Sequence, residues 1–161
     1  MAYRRLLTPE QQEARGINAV AGLLSHRLIV PKIFLKPPWP DARNRVDLLA
    51  VDRAGSGEIH IVEVKSGIAE ASQSLERVKA MPAHYKYIAV IGDRRYRVDD
   101  KALYAADGFG RIGVIQIIED EAGNLSADLA LAPERFRVDA SVFRSIDRFT
   151  SKHPADIEIR P

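Results

Sequence analysis

The stretch RVDLLAVDRAGSGEIHIVEVKS, residues 45–66, decides the fold. Its two halves are rich in aliphatic and β-branched residues, and the glycine-containing RAGSG lies between them, which is typical of an antiparallel β-hairpin. The second half ends with two charged residues, Glu63 and Lys65, directly beside an apolar run. Burying a charge is costly unless it is paired or bound to something. The end of this strand is therefore the first candidate for a functional site.

The register of the hairpin decides what lies opposite these charges. Side chains alternate along a strand, so Glu63 and Lys65 share one face with the isoleucines that precede them. If RAGSG forms the loop, Asp52 pairs with Glu58 and Asp47 faces Glu63. We prefer this register because it sets aliphatic residues opposite each other, whereas a slip of one residue would separate the carboxylates. Opposed residues lie about 5 Å apart, so two carboxylates and a lysine should converge.

Such a pair of carboxylates requires a proton or a cation between them, because the two negative charges repel. Mg²⁺ or Mn²⁺ is the predicted cation, since a hard divalent ion prefers oxygen ligands and uses one or two protein carboxylates. Asp47 and Glu63 would bind it, and the backbone carbonyl of Val64 would add a ligand. Lys65 would then face a phosphate or the attacking water.

A third carboxylate is predicted on the first helix, over residues 9–28. Thr8 as N-cap, a proline at the first helical position and Gln11 form a capping box that marks its start. Extending the apolar stripe of this helix back by one turn reaches Glu13, which would therefore point at the core and join the site. The stripe consists of Ile17, Val20, Ala21, Leu24 and Leu28.

The remaining pattern predicts an α/β fold with an α-β-β-β-α-β core and a mixed sheet flanked by helices. We expect one domain over 1–161, with its core at about 9–92, strand and helix additions over 93–150 and a loosely held tail over 151–161. The predicted elements are strand 32–36, the hairpin, helix 69–81, strand 86–92, a short helix near 99–106, strands 111–120 and 125–133, and helix 139–152.

Composition excludes several classes of protein. The chain has 161 residues, no cysteine and 46% hydrophobic residues, which indicates a globular domain without disulfides or cysteine-based zinc sites. The net charge of +2 is too small to indicate nucleic-acid binding by itself. No apolar run is long enough to span a membrane, and the first residues are too polar for a secretory signal. We expect a cytoplasmic protein.

Asp47 followed by a hairpin and Glu63-Val64-Lys65 resembles the PD-(D/E)XK nuclease superfamily, which has the restriction-endonuclease-like fold. The resemblance covers about residues 9–92 and implies a Mg²⁺-dependent phosphodiesterase acting on DNA. It implies that Asp47 and Glu63 bind metal, that Lys65 orients or activates the nucleophilic water, and that Glu13 assists them. Together with MPAHYKYIAV, the hairpin also looks like small bacterial DNA-repair proteins of this fold.

Two positions after the motif resemble polar positions of the same family, and two others depart from it. Ser66 and Gln73 match the polar residues that often follow the motif, so Gln73 would contact the site or the nucleic acid from the second helix. Val46 stands where the family name has proline. Arg77 lies four residues after Gln73, where some exonuclease members have tyrosine, so exonuclease action gains no support.

Four arginines are candidate phosphate contacts. Arg43 and Arg45 flank the approach to Asp47, and Arg94 and Arg95 follow a strongly apolar strand. Arginines of this kind neutralise phosphates and make binding depend on salt, although an ordinary solvated loop gives the same pattern. DNA is the expected partner, and a second copy of the chain or a repair protein is a further candidate.

Two other interpretations of the same residues stay open. A nuclease-like fold without catalysis would bind nucleic acid or a repair partner, because a fold does not fix a function. In the simplest case, Glu63 and Lys65 form a salt bridge at the end of a strand and bind no metal. Gln73 and Glu13 would then be ordinary helix surface residues.

Overall fold

The structure is a computed structural model, and it describes residues 8–26, 32–37, 46–52, 57–66, 68–93 and 111–158. These residues form a mixed sheet of seven strands in the order β6-β5-β4-β3-β2-β1-β7, with helices on both faces. The predicted α/β class is confirmed, and the first six elements follow the predicted α-β-β-β-α-β order. In chain order the elements are α1 (Pro9–His26), β1 (Lys32–Leu35), β2 (Leu48–Val51), β3 (Ile59–Lys65), α2 (Ile68–Ala80), β4 (Tyr85–Asp93), β5 (Gly113–Glu119), β6 (Leu125–Leu131), α3 (Ala140–Lys152) and β7 (Ile157–Glu158).

The predicted hairpin register is confirmed. Strands β2 and β3 are antiparallel, with Leu49 opposite Ile61 and Val51 opposite Ile59. The Asp52 N–H donates to the carbonyl of Glu58 at 3.0 Å, so the pairing continues one step beyond the strands toward the loop. Strands β3 and β4 are parallel, as expected for a strand-helix-strand unit.

Alternation along β3 divides the core into two layers. Helix α1 covers the face that carries Val62 and Val64, which are both buried. Helix α3 and the residues after α2 cover the opposite face over Ile59 and Ile61. Glu63 lies on this second face, because it follows the isoleucines at a spacing of two.

Helix α1 begins as the sequence predicts. The Thr8 N–H donates to Gln11 Oε1 at 2.9 Å, and the Gln11 N–H donates to Thr8 Oγ1 at 3.2 Å, which is a capping box. Gly16 allows the helix to lie close to the sheet, because a Cβ there would come within 2.9 Å of Ile91 Cδ1 and 3.0 Å of Val64 Cγ1. Within the described stripe, Ile17, Val20, Ala21 and Leu24 are buried.

The expectation of a loosely held tail is wrong for the residues that the structure describes there. Strand β7 pairs antiparallel with β1, setting Ile157 opposite Ile33. Asp156 fixes the approach, because its N–H donates to the carbonyl of Ile33 at 2.9 Å and its Oδ2 accepts from the Leu35 N–H at 2.7 Å. The chain pattern did not indicate this pairing because a two-residue strand has no measurable periodicity.

Candidate functional site

Asp47 lies one residue before β2 and takes over the hydrogen bonding of the β3 backbone where β2 stops. The Val64 N–H donates to Asp47 Oδ2 at 2.8 Å. The N–H and carbonyl of one strand residue point to the same side of the strand, so the Val64 carbonyl is directed toward the same edge. The backbone of Asp47 is also held, because its carbonyl accepts from the Lys36 N–H at 2.9 Å.

The carboxyl of Asp47 holds its proton to an unusually high pH. Burial and, next, the negative charge of Glu63 raise its pKa to about 7. A hydrogen bond and the charge of Glu13 act in the same direction, whereas the Val64 N–H lowers the pKa. At neutral pH this carboxyl therefore binds a proton or a cation readily.

Glu63 is the most buried carboxylate of the site. Its side chain is 3% exposed, and its Oε2 lies 2.6 Å from Arg77 Nη2 and 3.7 Å from Lys65 Nζ. Its Oε1 is buried without a hydrogen-bond partner among the described residues. Burial raises the pKa of Glu63 although the charges of Arg77 and Lys65 lower it. A buried carboxylate oxygen without a partner is costly, so this oxygen is a candidate ligand for a cation.

Glu13 reaches the site from the other side of the sheet. Helix α1 covers the Val62 and Val64 face, whereas Glu63 lies on the opposite one. The partner of Glu13 is Asp47, with which it shares a hydrogen bond. The Oε1 of Glu13 also lies 3.5 Å from Lys36 Nζ. The structure brings Glu13 beside Asp47, while Glu63 lies on the opposite face of the sheet.

The donor set fits a hard cation. Burial and nearby negative charges disfavour the ionised form of the Asp47 carboxyl, so a cation would stabilise it. Glu63 supplies an oxygen that has no partner in the described part of the chain. The Val64 carbonyl points to the side of β3 on which Asp47 lies. Two carboxylates with backbone and water oxygens are sufficient for Mg²⁺. Across the described ranges, no group of three or more His, Cys, Asp and Glu side chains is arranged to hold a metal ion.

The residues predicted around the site differ in how the structure places them. Ser66 and Gln73 are both exposed. Ser66 directly follows Lys65, while Gln73 lies on α2 one turn before Arg77. The predicted phosphate contacts Arg43, Arg45, Arg94 and Arg95 lie outside the described residues, as does the short helix predicted near 99–106.

A cavity of about 250 Å³ adjoins the site on the α1 side of the sheet. It lies where β3, β4 and β5 end, and two of its residues directly neighbour site residues in sequence: Gln12 precedes Glu13, and Ser66 follows Lys65. The Arg15 guanidinium on its wall donates to the carbonyl of Gly123 in the turn before β6. The lining residues are Gln12, Arg15, Ser66, Ile91, Gly92, Glu119 and Leu125.

Arg77 is the site residue that sequence reasoning missed. Its position on α2 follows from the buried stripe of Ala71, Leu75 and Val78, which faces the sheet and leaves Arg77 at the margin of the helix. The one available signal was its spacing of four from Gln73, since residues at that spacing share a helix face. From the sequence alone, the same spacing indicates only that the tyrosine of some exonuclease members is absent.

Comparisons with known proteins add a fold likeness. No protein-family model matches the chain, and no curated protein matches it. A solved structure of a protein of unknown function from Silicibacter pomeroyi is similar, with a TM-score of 0.52 and 20% identity over 90% of this chain and 86% of that chain. At this identity the likeness concerns the fold. Among the described helices, none has the length and apolar character needed to cross a membrane.

Proposed function

We propose that this protein is a Mg²⁺- or Mn²⁺-dependent DNA phosphodiesterase of the PD-(D/E)XK type, acting in DNA repair or restriction in the cytoplasm. The observation that carries the proposal is the buried Glu63 Oε1 without a partner, next to an Asp47 carboxyl whose pKa is raised to about 7. Carboxyls perturbed in this way by burial and by each other are characteristic of functional sites.

The order of elements supports the same proposal. Asp47 directly precedes β2, Glu63 and Lys65 end the neighbouring strand β3, and Glu13 approaches from the first helix. This is the arrangement that the resemblance implies for the superfamily. Asp47, Glu63 and Lys65 lie in or directly beside two paired strands, and Glu13 reaches Asp47 from the helix on the opposite face.

Each residue then has a role that its position allows. Asp47 and Glu63 would hold the cation together with the Val64 carbonyl, and Glu13 would orient Asp47 through their hydrogen bond. A bound divalent cation supplies an activated water and offsets charge on the phosphate. The Lys65 side chain is 25% exposed and its Nζ lies 3.7 Å from Glu63 Oε2, where it would position the water or stabilise the transition state.

A second candidate is a non-catalytic module that binds nucleic acid or a repair partner. The observation that favours it is the 2.6 Å contact between Arg77 and Glu63, which already neutralises the buried carboxylate without any metal. An ion pair of this kind, with Lys65 nearby, would keep the fold intact after loss of catalysis.

Cleavage assays separate the two candidates. Plasmid and single-stranded DNA are incubated with Mg²⁺ or Mn²⁺ and with wild type, Asp47→Ala, Lys65→Ala and, as a matched control, Lys79→Ala. The control removes an equivalent positive charge from α2, where Lys79 pairs with Glu76. We expect Asp47→Ala and Lys65→Ala each to lower the rate by about 100-fold or more, with the control unchanged.

Three results would contradict the proposal. Cleavage that survives both site substitutions would place the activity elsewhere. DNA binding without cleavage, unchanged by EDTA, would support the second candidate. Calorimetry that detects no divalent-cation binding would instead leave Glu63 and its cationic neighbours as a structural salt bridge.

A further inference from the structure

We propose that Arg77 is a competing cation that weakens metal binding at Glu63 until a substrate phosphate draws it away. Arg77 thus couples metal binding to phosphate binding. This inference rests on the proposed function, because it concerns the same carboxylate. It assigns a role to a residue that the resemblance does not include.

The contact between Arg77 and Glu63 is close enough to compete with a metal ligand. Arg77 Nη2 lies 2.6 Å from Glu63 Oε2, and the same oxygen lies 3.7 Å from Lys65 Nζ. Hydrogen bonds between ionised partners are about twice as strong as neutral ones. A guanidinium at this distance also repels any divalent ion that approaches the carboxylate. Oε1 has no partner among the described residues, but the guanidinium on Oε2 lowers the affinity of the same carboxylate for a divalent ion. Glu63 therefore binds a metal with full strength only after Arg77 has moved away.

Arg77 is placed so that it can move. Its side chain is 40% exposed, and it lies in the last turn of α2. The buried residues that hold the helix on the sheet are others, Ala71, Leu75 and Val78. The side chain can therefore leave Glu63 without unpacking the core, whereas Glu63, 3% exposed, stays in place.

A guanidinium that leaves Glu63 gains an anionic partner in the substrate phosphate. Its planar fork matches the oxygens of a phosphate in a two-point contact, which an ammonium cannot reproduce. The phosphate that sits beside the cation would lie within the reach of Arg77 at the edge of the site. Because linkage is reciprocal, a phosphate that draws Arg77 away tightens metal binding, and metal binding in turn tightens phosphate binding.

Mn²⁺ binding, measured by the loss of the free-ion EPR signal, tests the blocking step without any cleavage assay. The variant is Arg77→Met, which removes the charge and keeps an aliphatic chain. The matched control is Lys79→Met, which removes one positive charge from the same helix and is 31% exposed. We expect Arg77→Met to bind Mn²⁺ about tenfold more tightly than wild type, and the control to differ by less than about twofold.

The coupling is measured in the same assay with thymidine monophosphate as the phosphate probe. In wild type, a saturating amount should tighten Mn²⁺ binding by about fivefold or more. In Arg77→Met this effect should fall to less than half. Arg77→Lys, which keeps the charge but loses the fork, should show an intermediate Mn²⁺ affinity.

The outcomes separate this inference from the proposed function. If Arg77→Met binds Mn²⁺ no more tightly than the Lys79→Met control, the role of Arg77 is refuted, while the metal site stands as long as Asp47→Asn abolishes binding. If none of the proteins binds Mn²⁺, Arg77→Met included, both the role of Arg77 and the proposed metal-dependent function are refuted. If Arg77→Met does not fold, wild type alone still tests the coupling. A Mn²⁺ affinity that is the same with and without thymidine monophosphate would refute it.

Discussion

Replacing Asp47 by asparagine should stabilise the protein in the absence of metal. Burial and neighbouring charges raise the pKa of Asp47 from its ordinary value of 3.8 to about 7. A folded-state pKa above the unfolded value means that the carboxyl favours folding while it is protonated, and that this contribution is lost as the pH rises from about 4 to 7. Each pKa unit corresponds to about 1.36 kcal/mol, so the ionised carboxyl costs about 4 kcal/mol above pH 7.

The amide of asparagine keeps one useful contact and removes the charge. Its oxygen can accept the Val64 N–H as Asp47 Oδ2 does, while the repulsion from Glu63 and Glu13 disappears. The new N–H₂ group must find acceptors, which offsets part of the gain. We expect Asp47→Asn to raise the free energy of unfolding by about 2–3 kcal/mol at pH 8.

Urea unfolding in EDTA, at pH 8 and pH 5, measures this effect. The advantage of Asp47→Asn should shrink by about 2–3 kcal/mol at pH 5, where the wild-type carboxyl is largely protonated in the folded state. The control is Glu76→Gln, since Glu76 is 87% exposed on α2 and its neutralisation should change stability by less than about 0.5 kcal/mol. A variant that is less stable than wild type at pH 8, or an advantage that does not depend on pH, would refute the reasoning.

Two further predictions concern parts of the fold that support the site. Gly16→Ala should lower the free energy of unfolding in urea by about 1–3 kcal/mol, because the new Cβ would meet Ile91 and Val64. The control Gly22→Ala, with no atom of the described residues within 4 Å of its Cβ, should raise it by about 0.5–1 kcal/mol. Equal effects of the two substitutions would contradict the close approach of α1 to the sheet. Burial lowers the pKa of His60 from 6.5 to about 4. The neutral imidazole therefore contributes fully to the stability of the fold above pH 6.5, and about 3 kcal/mol of stability is lost as the pH falls to 4. In His60→Gln this acid-dependent loss should disappear from the stability profile, and an unchanged slope between pH 6.5 and 4 would contradict it.

The part of the site that the sequence predicts is the part set by strand geometry. Alternation and the aliphatic pairing of the hairpin are enough to bring Asp47 beside β3, because side-chain direction along a strand has a period of two. The helix stripe likewise predicts that Glu13 points toward the sheet. Nothing local to α1 specifies which of the two faces that helix covers.

Arg77 shows where sequence reasoning stops. Its contact with Glu63 depends on the rotation of α2 about its own axis, which the packing of distant strands determines. The pairing of β7 with β1 depends likewise on a long-range contact, since Leu35 and Asp156 are 121 positions apart. Long separations of this kind leave no trace in local composition.

Strand β7 gives the sheet a protected margin. Without residues 153–158, β1 would present a row of unpaired backbone groups, beginning with the Ile33 carbonyl and the Leu35 N–H that Asp156 now satisfies. Bare margins of this kind pair readily with the same strand of another molecule and seed aggregation. A shortened chain would therefore be expected to precipitate although the hairpin and its carboxylates are untouched. In this protein the short segment satisfies those groups, and a tag or fusion placed directly after it puts that pairing at risk.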